Sequence, residues 1–232
     1  LVVGENSMRY HWKEKTCGEN SDRYELSLPG RQQQLVEAVV ATGVPTIVVL
    51  VNGRPLTVEW IARHVPAVIE AWEPGLYGGQ AVGEILYGKV SPSAKLPVTI
   101  PRGVGQIGCY YNHKYCAYRF PYATGKTSPL YEFGFGLSYT TFKYSNPRLS
   151  ASTISTTDSV RVSVDITNTG AMDAEEVAQL YIRDDYSSAT RPMKELKGFE
   201  RIFLKAGETK TVSFLVTPES LAYYDAQMKY GV

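Results

Sequence analysis

The chain has 232 residues, with 24 Lys and Arg against 23 Asp and Glu, a formal net charge of +1. This balance gives no basic excess for nucleic acid and no acidic tail, and 44% hydrophobic with 20% charged residues excludes a disordered chain. The longest apolar run, Ile47 to Val51, is far too short to cross a bilayer, while the length suffices for one large domain or two small ones with a real core.

In chain order, Leu1-Val2-Val3 reads as the end of a strand. A helix is predicted after Pro29-Gly30, with Leu35, Ala38, Val39 and Thr42 on one face and Gly43 closing it. Thr46–Val51 is a continuous β-branched run of the kind buried on both faces of a parallel sheet, ended by Asn52-Gly53. Val58–His64 is a short helix and Ala67–Trp72 a second buried strand. Gly79–Tyr87 is a further helix closed by Gly88. Strand and helix thus alternate over residues 1–101, which predicts an α/β layered domain. Residues 102–139 form a long connection rich in aromatics, among them Tyr110, Tyr111, Tyr115, Tyr118, Phe120 and Tyr122, expected to be tied down by aromatic packing.

From residue 140 to 232 the class changes. Ser150–Ser159 is a polar loop. Val160, Val162, Val164 and Ile166 alternate with polar residues, Asn168-Thr169-Gly170 is a turn, and Val177–Ile182 and Gly198–Leu204 are strands. Ala206-Gly207-Glu208 is a second turn and Val212/Phe214/Val216 another alternating strand. Short strands at this spacing predict an all-β sandwich, slightly too short to hold its last strand. The opening Leu-Val-Val-Gly-Glu and the closing Tyr230-Gly231-Val232 read as the cut ends of a piece of a longer protein.

Cys17, Cys109 and Cys116 cannot make a disulfide framework, and buried free thiols compete with a Cys109–Cys116 bridge. His11, His64 and His113 are scattered and no CxxC occurs, so no metal or other cofactor is expected. His64 reads as a cap or surface residue. Gly75-Leu-Tyr-Gly78-Gly79 lacks both the Walker lysine and the dinucleotide spacing, so its glycines are ascribed to tight helix–strand packing.

Ligands of α/β sheets collect at the carboxyl ends of the strands. The loop after Val3 carries Glu5, Arg9, Tyr10, His11, Trp12, Glu14, Glu19, Asp22 and Arg23. Carboxylates beside aromatics suit a sugar: ring faces stack on C–H groups, and a Glu near Trp in a drying pocket gains a raised pKa and can act as general acid. A charge-rich, purely solvated surface loop has the same composition.

Several longer stretches resemble glycoside hydrolase family 3. They are Glu70-Ala-Trp-Glu-Pro-Gly75, Gly78-Gly-Gln-Ala-Val-Gly-Glu-Ile-Leu-Tyr-Gly88 and Pro92-Ser-Ala-Lys-Leu-Pro-Val-Thr-Ile-Pro101. Further on come Tyr111-Asn-His-Lys114, Tyr131-Glu-Phe-Gly-Phe-Gly-Leu-Ser-Tyr-Thr140, Glu195-Leu-Lys-Gly-Phe199 and Leu204-Lys-Ala-Gly-Glu208. They occur in family order over nearly the whole chain. One departure stands out: Tyr77 occupies the place of a Glu in the Pro-Gly-x-Glu-Gly-Gly of many relatives.

The resemblance implies a partial α/β/α layered sandwich (1–101), an aromatic-rich linker (102–139) and a fibronectin type III-like, immunoglobulin-like β-sandwich (140–232). It implies retaining, exo-acting hydrolysis of β-glycosides, β-glucosidase first and β-xylosidase next. In the family the Asp nucleophile lies on an N-terminal (β/α)8 barrel, which this sequence lacks, and the sandwich lends the general acid/base Glu. The anchor Asp22-Arg23 before Leu26-Ser-Leu-Pro29 makes Glu14 the first candidate for that Glu. Glu19 and Glu5 follow, with Arg9, Tyr10 and Trp12 as substrate-binding candidates. The implied partners are a β-linked oligosaccharide and the barrel of the parent enzyme, with no nucleic acid or membrane; oligomeric state, a homodimer included, is left open. Family habit implies a periplasmic or extracellular location, and the isolated chain is expected to be inactive. The alternative is a non-catalytic carbohydrate-binding or structural accessory module, with Tyr181, Tyr186, Tyr223 and Tyr224 as stacking candidates against a role as buried strand tyrosines.

Overall fold

The computed structural model describes residues 1–7, 13–114 and 122–232. The chain divides into two compact units. The first comprises Leu1–Leu86, Val98–Cys109 and Phe120–Phe133, the second Tyr87–Pro97, Tyr110–Arg119 and Gly134–Val232.

In the first unit the apolar runs become β1 (Val2–Gly4), β2 (Ile47–Val51) and β3 (Ala67–Glu70), a parallel sheet in the order β1-β2-β3. Parallel neighbours need crossovers. These contain α1 (Gln32–Ala41) between β1 and β2, and α2 (Glu59–His64) between β2 and β3; α3 (Gly78–Leu86) follows β3. Consecutive Val48, Val49 and Leu50 are all buried, so β2 is covered on both faces, as its unbroken apolar run requires. Val3, Leu28, Val36, Leu56, Val58, Ile61 and Val65 complete this core.

Two details depart from the sequence reading. On α1 the core takes Val36, fully buried, and Val40 packs beside it, whereas Leu35 is 49% exposed and Ala38 is also exposed. The helix is apolar on several sides (LVEAVVA), so periodicity offers adjacent stripes, and the sheet's position chooses between them. Strand β3 stops at Glu70 because Trp72 adopts a left-handed backbone, φ 52°.

Among the described residues of the connection after Pro101, one arginine makes several of the ties within this unit. Arg102 donates from its backbone N to Gln106 Oε1 (2.9 Å), from Nε to Ser128 O (2.9 Å) and from Nη2 to Pro129 O (3.0 Å). Its Nη1 pairs with Glu59 at 2.9 Å. The expected aromatic anchoring appears in the second unit at Tyr111, whose ring meets Tyr181 edge-on with centroids 6.1 Å apart and whose hydroxyl accepts from Leu196 N at 3.3 Å. Tyr115, Tyr118 and Phe120 lie outside the described residues.

The second unit contains β4 (Phe142–Leu149), β5 (Val160–Asn168), β6 (Ala174–Ile182), β7 (Glu195–Leu204) and β8 (Thr209–Val216). Antiparallel β4-β5-β8 forms one sheet and antiparallel β6-β7 another. Buried Ile166 and Val212 of the first meet Ala178 and Leu204 of the second, the core of a sandwich. The chain ends with a short helix α4 (Pro218–Leu221) and the two-residue strands β9 (Tyr223–Tyr224) and β10 (Tyr230–Gly231).

Strand β4 is not foreshadowed by the sequence pattern, because Pro147 lies in it and its apolar residues do not alternate. It occupies a sheet edge, where a missing N–H is tolerated, and its register breaks between Ser145 and Arg148 at that proline. Residues 87–97 belong with this unit. Leu96 exchanges backbone hydrogen bonds with Phe135 and Gly134, at 2.8 and 2.7 Å, and Lys95 Nζ pairs with buried Glu176 at 3.1 Å. The Tyr144 hydroxyl donates to the other Glu176 oxygen at 2.9 Å, and burial, with Glu176 beside it, pushes that hydroxyl above its ordinary pKa range.

Candidate active site

The carboxyl edge of the parallel sheet is where the first loop starts. Gly4 ends β1 with φ 151°, and a Cβ there would stand 1.8 Å from Val51 O, so only glycine fits against β2. Gln32, the first residue of α1, holds this strand end from both sides: Gly4 N donates to its Oε1 at 2.7 Å and its Nε2 donates to Gly4 O at 2.8 Å. Glu5 follows directly, with its backbone N donating to Val51 O at 2.8 Å.

The loop then closes on itself at a neck. Asn6 N donates to Thr16 Oγ1 and Thr16 N to Asn6 O, both at 2.8 Å, and Cys17 N donates to Asn6 O at 3.3 Å. Glu14 lies in the excursion beyond this neck and is exposed; Glu19 lies in the return and is exposed as well. The return is ordered by its own contacts. Lys15 Nζ donates to Glu19 O at 2.5 Å, Ser21 Oγ to Lys15 O at 3.2 Å and Ser21 N to Gly18 O at 3.1 Å. Arg9, Tyr10 and Trp12 lie outside the described residues.

Glu5 has a different setting from the other two candidates. Its side chain has 0% exposure and faces two guanidiniums, Arg54 Nε at 3.2 Å and Arg23 Nη1 at 3.5 Å. These are charge contacts rather than aligned hydrogen bonds. Two largely buried guanidiniums thus enclose the Glu5 carboxyl, which ties the start of the loop to Arg54 and Arg23. Arg54 also meets Asp22 Oδ1 through Nη1 and donates from Nη2 to Thr16 O at 3.1 Å.

Arg54, Asn52 and Glu70, which share this sheet edge, are not among the site residues expected from the sequence. Asn52, 1% exposed, donates from Nδ2 to Arg54 O at 2.8 Å and to Glu70 Oε2 at 3.4 Å, shaping the turn that presents Arg54. Glu70 Oε1 accepts from Trp72 N at 3.1 Å and so fixes the left-handed residue that follows β3. Burial pushes the Glu70 carboxyl up to about 7, against the smaller opposing effects of the Trp72 and Asn52 hydrogen bonds. The available signals were Asn52-Gly53-Arg54 at a strand's carboxyl end and a single acid ending an apolar strand.

The remaining motifs resolve into structure. Buried Cys17 has its Sγ 3.5 Å from Glu73 Oε1, and burial, followed by the charge of Glu5, pushes the thiol up. Cys116 lies outside the described residues, and the Cys109–Cys116 pairing with it. His64 is exposed, with Nδ1 2.8 Å from Trp60 O and its ring stacked on Trp60 at 4.2 Å. The 75–79 glycines do not pack a helix on a strand as expected: at Gly78 a Cβ would strike Pro74 at 2.4 Å, and Gly79 has open space around it. Tyr77 is 74% exposed. Of the tyrosines considered for stacking, Tyr186 is 97% and Tyr224 59% exposed, while Tyr181 and Tyr223 are half-buried under Lys194 and Arg191.

The profile of the glycosyl hydrolase family 3 C-terminal domain matches residues 1–139. The chain belongs to glycosyl hydrolase family 3. A fibronectin type III-like domain profile matches residues 176–232, so this family 3 chain is an α/β domain followed by a β-sandwich. It is 45% identical to a beta-xylosidase of Formosa agariphila over 99% of this chain and 31% of that protein. It is 43% identical to a periplasmic beta-glucosidase of Salmonella typhimurium over 99% of this chain and 30% of that protein. Among solved structures, a beta-glucosidase of Listeria innocua in complex with glucose superposes with a TM-score of 0.91 at 35% identity, over 99% of this chain and 32% of that one. The chain therefore spans about a third of the length of the relatives it matches.

Proposed function

We propose that this chain is the C-terminal part of a retaining, exo-acting β-glycosidase, a β-glucosidase first and a β-xylosidase next, and that it supplies the general acid/base. The observation that carries the reading is the loop at the carboxyl edge of the sheet. It presents Glu14 and Glu19 to solvent while its base is locked by Glu5, Arg54 and Asp22. In the first half of the reaction the Glu carboxyl donates its proton to the glycosidic oxygen as an Asp of the (β/α)8 barrel attacks the anomeric carbon, giving a covalent glycosyl-enzyme. In the second half the same residue, now a carboxylate, takes a proton from the water that displaces the Asp. The substrate is the non-reducing end of a β-linked oligosaccharide, and the location is periplasmic or extracellular. Relatives named beta-glucosidase and beta-xylosidase, one of them periplasmic, support this assignment.

The test is made in the full-length enzyme with Glu14→Gln and Glu19→Gln. The residue that transfers the proton loses about 10²–10⁴-fold in turnover of poor leaving groups. With a 2,4-dinitrophenyl glycoside, which leaves without a proton, azide restores turnover and yields a glycosyl azide, since an anionic nucleophile needs no base. Glu14 is the expected residue. Glu5→Gln is made alongside them, and absence of azide rescue in all three variants overturns the assignment of the acid/base to this loop.

A further inference from the structure

We infer that Arg54 is the positioning residue of the acid/base loop, an inference that rests on the reading of that loop given above. One guanidinium spends each of its three nitrogens on a different part of the loop. Nε faces Glu5 at the loop's start, 3.2 Å away, Nη2 donates to Thr16 O at the neck, 3.1 Å away, and Nη1 meets Asp22 at the loop's end.

The planar fork makes this possible. A lysine ammonium is a point charge and cannot reach three separated acceptors. Arg54 is itself held, because Asn52 binds its carbonyl and its side chain is 17% exposed. Nor is the contact with Asp22 a solvation requirement of that acid, whose side chain is 84% exposed. The arrangement fixes the base of the loop on both sides of Glu14, and Arg54 acts there without touching substrate.

The experiment compares Arg54→Lys and Arg54→Ala with Glu14→Gln and Glu19→Gln in the full-length enzyme. It uses phenyl and 2,4-dinitrophenyl β-glycosides, with active enzyme counted by trapping the glycosyl-enzyme with a 2-deoxy-2-fluoro glycoside. A misplaced acid harms the phenyl glycoside selectively. The expected result is at least a tenfold rise in the ratio of dinitrophenyl to phenyl kcat/KM for Arg54→Lys. Moreover, that substitution adds nothing to the ratio in the background of the Glu variant that abolishes acid catalysis. Equal proportional losses on both substrates, or effects that multiply in the double variant, overturn the inference. If Arg54→Ala yields no folded enzyme, Arg54→Lys and Asp22→Asn, which removes one tie, decide it by the same ratio. If none of Glu14→Gln, Glu19→Gln and Glu5→Gln changes the ratio, the acid/base reading itself fails, a result distinct from a normal ratio in Arg54→Lys alone.

Discussion

Glu5 and Glu70 stand at the carboxyl ends of β1 and β3, and their neighbours give them opposite electrostatics. Glu5 faces two guanidiniums, while among the described residues Glu70 is offered the neutral donors Asn52 Nδ2 and Trp72 N. Neutral dipoles do not offset the desolvation of a charge, so the Glu70 carboxyl is pushed from 4.5 up to about 7. The folded state then binds this proton more tightly than the unfolded chain across that interval. The stabilisation is complete below about pH 4.5 and declines as pH rises to about 7, by roughly 3 kcal/mol. Glu70→Gln keeps the carbonyl that accepts from Trp72 N, so urea unfolding of the variant should lose this decline between about pH 4.5 and 7. An unchanged pH slope would show that Glu70 is ionised in the fold. Glu5→Gln strands two arginines that are mostly buried, and unfolding should be easier by about 1–3 kcal/mol, discounted for their residual exposure.

At the scale of elements, the β1–β2 junction tolerates no side chain at position 4. Gly4→Ala places a methyl 1.8 Å from Val51 O, so the strand end must leave β2, at a cost of about 3 kcal/mol or more. The effect should reach the loop as well, since Glu5 N loses its bond to Val51 O; faster amide exchange at Glu5 and Asn6 is the readout. In the sandwich, fully buried Asn168 does the corresponding work. Its Nδ2 donates to Met172 O at 2.8 Å and Leu204 O at 3.1 Å, and its Oδ1 accepts from Thr140 Oγ1 at 2.6 Å and Gly170 N at 3.2 Å. Both amide atoms are satisfied, so Asn168→Ala orphans several buried groups at once, and denaturant titration should show a loss of about 2–4 kcal/mol. An effect below about 0.5 kcal/mol would mean that water replaces the side chain.

For the whole molecule, the proposed function places part of the chemistry outside this chain. It covers 30–31% of the beta-glucosidase and beta-xylosidase relatives compared above, and retaining hydrolysis requires a second carboxyl group about 5–5.5 Å from the first. Under the proposed function that second group is an Asp of the (β/α)8 barrel, outside these 232 residues. The 232-residue chain alone should therefore not hydrolyse p-nitrophenyl β-glucoside or β-xyloside above background. Hydrolysis by the purified chain that disappears in Glu14→Gln or Glu19→Gln would place a nucleophile within it.

The sequence by itself determined the alternation of strand and helix, the change to a sandwich near residue 140 and the loop that bears the acid/base candidates. These follow from local rules: unbroken β-branched runs in β2, strict alternation in β5 and β8, and turn chemistry at Asn168-Thr169-Gly170. Even β4 escaped those rules, because an edge strand may carry a proline that a pattern search treats as a break. Only the tertiary structure decided which acids face water and which face arginine. Glu5, Glu14 and Glu19 are equivalent letters in one loop, and their difference comes from Arg54, contributed by the turn after a neighbouring strand. Likewise α1 offered adjacent apolar stripes, and the sheet beneath it selected Val36. Burial and charge partners are long-range properties, set by which strand lies beside which, and no window along the chain contains them.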